Sequence, residues 1–199
     1  MSTPVSIPAP DTLQAGLKEW DWCCQALLQG RLVVVVRKGG IHERKGGLFS
    51  LDHQRFALLP THLHQRSDRL TAAAAGQVAA ASPAPEPGLL SIACWAEVVQ
   101  VWKVTELARL LALGEELIWS HEELAARFHY RSQPWLFLVA LRVLRLPTVQ
   151  RLPDLPRYAG CVSWVELEQP ITCSASQAVL DDERLARRVA GIADVLSRP

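Results

Sequence analysis

The sequence predicts an α/β or α+β fold: a compact mixed sheet with flanking helices, arranged as two closely packed lobes. Three observations lead there. Leu32-Val33-Val34-Val35-Val36 is an unbroken apolar run, rich in β-branched residues, which suits a strand covered on both faces. Helical spacing recurs on either side of such runs. Glycine and proline clusters punctuate the chain at short intervals. With 199 residues, 49% of them hydrophobic and 21% charged, the chain can bury a core of its own.

Residues 1–11 read as a flexible, proline-containing arm. From Thr12 onward Leu13, Leu17, Trp20, Cys24, Leu27 and Leu28 recur at helical spacing, and Gly30 follows as a terminator. This N-terminal helix, the valine strand and a second strand over 56–59, ended by Pro60, make a first lobe spanning 12–69. Residues 70–89 form an Ala/Pro-rich linker or insert, with helical propensity over 70–81. A second α/β lobe covers 90–168, with a strand over 92–104 around Trp95 and Trp102. A short helix over 105–113 and an extended piece at 117–119 come next. Ser120-His121-Glu122-Glu123 fits a reciprocal capping box opening a helix over 121–129. Strands are predicted at 135–146, stopped by Pro147, and at 158–167. The tail, 169–199, carries a helix over 174–196 with acids ahead of arginines, matching the helix dipole.

Charge is balanced overall, at +1, so only its distribution can point to a partner. Residues 31–69 hold eight basic side chains against three acids, and four of the six histidines. Arg37, Lys38, Gly39 and Gly40 follow the valine strand, where glycine-freed N–H groups and basic side chains can converge on an anion. The pattern is neither a P-loop nor a dinucleotide fingerprint. His62 and His64, two apart, would share one face of an extended segment. With His42, Glu43 or Asp52 they would make a candidate divalent-metal set, and Glu43 with His64 a candidate catalytic pair. A second basic face is expected from Arg127, Arg131, Arg142 and Arg145, interspersed with His121, His129 and Tyr130. The same residues equally suit a glycine turn with solvated charges, or arginine stems packed on a core edge.

The five cysteines, Cys23, Cys24, Cys94, Cys161 and Cys173, are odd in number and scattered. That suits reduced thiols and a cytoplasmic location, and no secretory signal is visible after Met1. Apolar runs are too short to span a bilayer, so no membrane partner is expected.

Five passages carry a family resemblance. They are Arg37-Lys38-Gly39-Gly40-Ile41-His42-Glu43, Phe56-Ala57-Leu58-Leu59-Pro60-Thr61-His62-Leu63-His64-Gln65, and the blocks at 118–123, 141–147 and 158–167. Together they resemble DUF1802, a family of uncharacterised, largely cyanobacterial proteins, over roughly residues 15–168. The resemblance implies no established activity or cofactor. It maps the family's two typical turns onto Arg37, Lys38, Gly39, Gly40, Ile41 and Glu43, and onto Pro60, Thr61, His64 and Gln65. It implies an aromatic residue at the position of His62, which leaves His64 as the better histidine.

The leading expectation is a protein that binds phosphate, a nucleotide or nucleic acid through Arg37, Lys38, Gly39, Gly40 and Gln65, with His64 and Glu43 moving a proton. A metal-dependent phosphodiesterase or nuclease is the second reading, and the only one that calls for a divalent ion. A non-catalytic scaffold with a protein partner is the third. The residues leave open whether the protein is an enzyme.

Overall fold

The computed structural model describes residues 10–38, 50–78 and 86–198. It shows a mixed α/β fold around one seven-stranded sheet. The strands are β1 (Thr12–Trp20), β2 (Val34–Arg37), β3 (Arg55–Thr61), β4 (Leu89–Val104), β5 (Leu136–Pro153), β6 (Trp164–Thr172) and β7 (Gln177–Ala178). Their order is β2-β5-β4-β3-β1-β6, with β7 against β5, so strands from the two halves of the chain interleave. Among the described residues β1 and β3 pair in parallel and the other strand pairs are antiparallel.

The helix expected from residue 13 begins only at Asp21. Residues 12–20 form β1, which the Leu13, Ala15, Leu17 alternation also permits. Gly16 suits the strand's close packing on β3. It faces Ala57 in the parallel register, and a Cβ there would meet Leu59 Cδ1 at 2.1 Å. Helix α1 (Asp21–Leu28) then follows directly, with the Trp22 N–H donating to Gln65 Oε1 at 3.1 Å. It ends as the glycine signal predicts. Gly30 has φ 70°, its N–H reaches Leu27 O and the Arg31 N–H reaches Ala26 O, the paired bonds of a Schellman motif.

Val34, Val35 and Val36 are all buried. Along β3, Phe56 and Leu58 join one apolar cluster while Ala57 and Leu59 join another, because alternate side chains leave opposite faces of the sheet. The larger cluster takes in α1, α4 (His121–Phe128) and α5 (Asp182–Ser197), and the smaller includes Trp95, Leu146, Tyr158 and Leu167. The alanine-rich stretch supplies α2 (Ala72–Val78), and α3 (Leu107–Leu111) lies in the stretch expected to be helical.

Several strand limits differ from expectation. β3 runs on through Pro60 to Thr61, with Pro60 paired to Glu19 and Thr61 to Trp20 of β1. β5 runs on past Pro147, because the register jumps from Cys94↔Arg145 to Ile92↔Gln150. Pro147 therefore sits in a bulge, where no ladder N–H is required. The last long strand begins at Trp164 rather than near 158. Pro156–Tyr158 is instead a 3₁₀ turn, and Gly160 at φ 87° turns the chain again.

At the start of α4 the Ser120 hydroxyl accepts from the Glu123 N–H at 3.2 Å. The reciprocal arm of the box is absent: the Ser120 N–H donates to Arg69 O instead. The tail helix starts later than expected, at Asp182, with the Asp181 carboxylate accepting from the Arg184 N–H at 2.7 Å. No helix among the described residues is long and apolar enough to cross a membrane.

Candidate functional site

The parallel strands β1 and β3 end side by side, with Trp20 opposite Thr61. Beyond their carboxyl ends lies a cavity of about 520 Å³. Among the described residues Lys18, Arg37, Lys38, Arg69 and Arg127 line it, against two carboxylates, Glu19 and Glu123. The valine strand delivers Arg37 and Lys38, the turn after β3 delivers His64, and α4 delivers Arg127. The two basic and histidine turns singled out in the sequence thus meet at one cavity, as far as their residues are described.

Arg37 and Lys38 are more deeply committed to the scaffold than an anion site would ask. Nη1 of Arg37 donates to Lys18 O at 3.2 Å and to Glu19 Oε2 at 3.0 Å, and its Nη2 bonds the Ser163 hydroxyl. The Lys38 ammonium donates to the carbonyls of Phe128 at 3.2 Å, Trp135 at 2.6 Å and Gln133, and sits 4.2 Å from the Trp135 ring centroid. Those three carbonyls match the three donors of an ammonium. Burial holds the Lys38 pKa below its ordinary value, and nearby Lys103 adds to that.

The remaining cations come from positions the sequence reading did not assign to the anion site. Lys18 reaches the Tyr158 and Gly160 carbonyls, each at 2.7 Å, and burial lowers its pKa while Cys161 and Asp154 act in the opposite sense. Its signal was hidden because residues 13–28 also fit a helical period; as a strand, β1 turns Lys18 away from the Leu17 face. Arg127 donates from Nε to Glu123 Oε1 at 2.7 Å, and its guanidinium lies 3.7 Å from the Trp119 ring centroid. Arg69 approaches the same Glu123 oxygen at 3.7 Å. One carboxylate therefore orients two guanidinium groups beside the cavity. Ser163, Thr61 and the exposed thiol of Cys161 complete the polar lining.

The histidine pair separates. Residues 62–64 turn rather than extend, and His64 adopts φ 61°, so His64 borders this cavity while His62 borders a neighbouring one. Asp52 is held by the Ser50 hydroxyl at 2.6 Å. No metal-ligating group of three His, Cys, Asp or Glu side chains forms among the described residues. Gln65 fastens the turn to α1 through the Trp22 N–H and is absent from the cavity lining. Gly39, Gly40, His42 and Glu43 lie outside the described residues.

The second basic face also divides. Arg127 joins the cavity, and Arg131 stands 5.4 Å from the ring of Tyr130, itself a lining residue. Arg142 instead pairs with Asp182 at the start of α5, and Arg145 donates to Leu28 O at 2.7 Å. The last two tie strand β5 to helices.

Among solved structures, the chain is similar to ASCH from Zymomonas mobilis. A mutant form matches at 12% identity over 92% of this chain and 98% of its own, with a TM-score of 0.44. A second ASCH structure from Zymomonas mobilis matches at 12% identity over 89% and 93%, with a TM-score of 0.43. No curated protein matches the chain. A family model described as a domain of unknown function, DUF1802, matches residues 16–191, and the chain belongs to that family.

Proposed function

We propose that this protein binds the phosphate group of a ligand in the cavity beyond β1 and β3. The observation that carries the reading is the charge of the lining: five cationic side chains face one concavity with two carboxylates among the described residues. Concave sites with a few convergent polar groups are where small ligands commonly bind. Both carboxylates are engaged by arginines, so neither stands as an unscreened charge against an incoming anion. Lys18, Arg69 and Arg127 supply the attraction in this reading, and His64 at the rim supplies a hydrogen bond. Arg37 and Lys38 hold the walls in place.

Isothermal titration with inorganic phosphate and pyrophosphate at low salt tests this. Removing one charge-assisted contact typically costs about 1.5–3 kcal/mol, so Arg127→Gln should weaken binding about tenfold or more. Added salt should weaken wild-type binding. Absence of binding by wild-type protein at millimolar phosphate and pyrophosphate overturns the reading.

A further inference from the structure

We infer that the ligand is a nucleoside monophosphate lying across two adjoining cavities, its phosphate in the first and its nucleoside in the second. The inference rests on the phosphate reading above and narrows it.

A second cavity, of about 790 Å³, adjoins the first and shares Lys18 with it. Lys18, Thr61, Leu63 and Gly160 border both spaces. The turn after β3 spans them, with His64 at the first and His62 at the second. Each volume falls in the range of small-molecule sites, so a ligand of nucleotide size need not leave the groove.

The two spaces differ in charge. In the first, cations outnumber acids; in the second, Asp21, Glu86 and Asp154 face only Lys18 and Arg151 among the described residues. Arg151 is already paired with Glu86 at 3.0 Å, which leaves Asp21 and Asp154 against Lys18 alone among the described residues. A polynucleotide strand would bring a second phosphate against these carboxylates, and like charges at close range repel. Carboxylates accept hydrogen bonds, so the second space favours a body rich in donors: ribose hydroxyls and an exocyclic base amine. Leu89, Leu90 and Leu155 give that space an apolar wall for a ring. One phosphate at one end and donors at the other is the chemistry of a nucleoside monophosphate.

Calorimetric titration distinguishes the possibilities. The probes are inorganic phosphate, AMP, GMP, CMP, UMP, adenosine and a twelve-residue oligodeoxythymidylate, against wild type, Arg127→Gln and the Glu86→Gln/Asp154→Asn double variant. Thermal melts check that the variants fold. At least one of the amine-bearing nucleotides should bind ten times more tightly than phosphate. The double variant should lose about fivefold in that affinity while binding phosphate at least as well as wild type, and Arg127→Gln should weaken both. Nucleotides binding no better than phosphate, a double variant that binds them as wild type does, or an oligonucleotide binding more tightly than every monophosphate would overturn the inference and leave phosphate binding standing. Failure of phosphate and nucleotides alike would remove the underlying reading as well.

Discussion

Nη1 of Arg37 donates to Oε2 of Glu19 at 3.0 Å, in a wall where the Glu19 side chain is 5% exposed and that of Arg37 12%. Glu19 Oε1 also accepts from the Trp20 N–H at 2.8 Å, so the carboxylate binds the end of β1 as well as the end of β2. Removing one partner of such a buried pair leaves the other charge without compensation. Arg37→Ala should therefore lower stability by about 3–5 kcal/mol. Urea denaturation measures it; a midpoint unchanged from wild type would show that the pair carries no such weight.

Lys38 makes a second prediction, because a solvated binding lysine and a buried structural one respond differently to replacement. Lys38→Ala should cost about 1–3 kcal/mol, since it leaves buried carbonyls without their donor. The folded-state pKa lies below the ordinary 10.5, so between the two values the unfolded chain binds more protons than the folded one. This group's contribution to stability therefore rises with pH through that window, is complete above 10.5, and is lost as pH falls through the folded pKa. Lys38→Met should flatten that part of the stability profile. A wild-type profile and a Lys38→Met profile of identical slope below pH 10.5 would contradict the assignment.

Gly16 offers a test of the parallel pair that shapes the cavity. Its missing Cβ is the space occupied by Leu59, whose Cδ1 would lie 2.1 Å from it. Overpacking of this kind usually costs about 1–3 kcal/mol, so Gly16→Ala should melt earlier, and Gly16→Ala/Leu59→Ala should recover part of the loss relative to Leu59→Ala alone. Independent, additive effects in the double variant would deny the contact.

The thiols divide sharply. Cys23, Cys24, Cys94 and Cys173 are buried and Cys161 is exposed. Burial pushes the Cys94 thiol up to about 12 and Cys173 up to about 11, which keeps both protonated and unreactive at neutral pH. A disulfide reagent should thus modify one cysteine in the folded protein and all five after denaturation. Rapid modification of two or more thiols under native conditions would contradict this burial.

Much of the architecture was legible because local chemistry and tertiary context agreed. The valine run, the glycine after α1 and the serine before α4 each specify a strand or a helix end without help from distant residues. Legibility failed where one pattern had two readings. Residues 13–20 satisfy both a helical and an alternating period, and only the partner strands β3 and β6 choose between them. Pro147 looked like a stop because its place in a bulge depends on the register with β4. The site shows the same division. Local spacing identified Arg37, Lys38 and His64, which do reach one cavity. It could not show that Lys38 is surrounded by carbonyls from α4 and the segment leading into β5, nor that Lys18 and Arg69 arrive from elsewhere in the chain.

The central claim, that a phosphate group occupies the cavity lined by Lys18 and Arg127, is tested most directly by Cys161, whose exposed thiol borders the same space. Its rate of alkylation by iodoacetamide is followed by mass spectrometry as inorganic phosphate is raised at constant ionic strength. The account predicts a saturable fall in rate in wild-type protein, with half-protection shifted to about tenfold higher phosphate in Arg127→Gln. An alkylation rate independent of phosphate would contradict it.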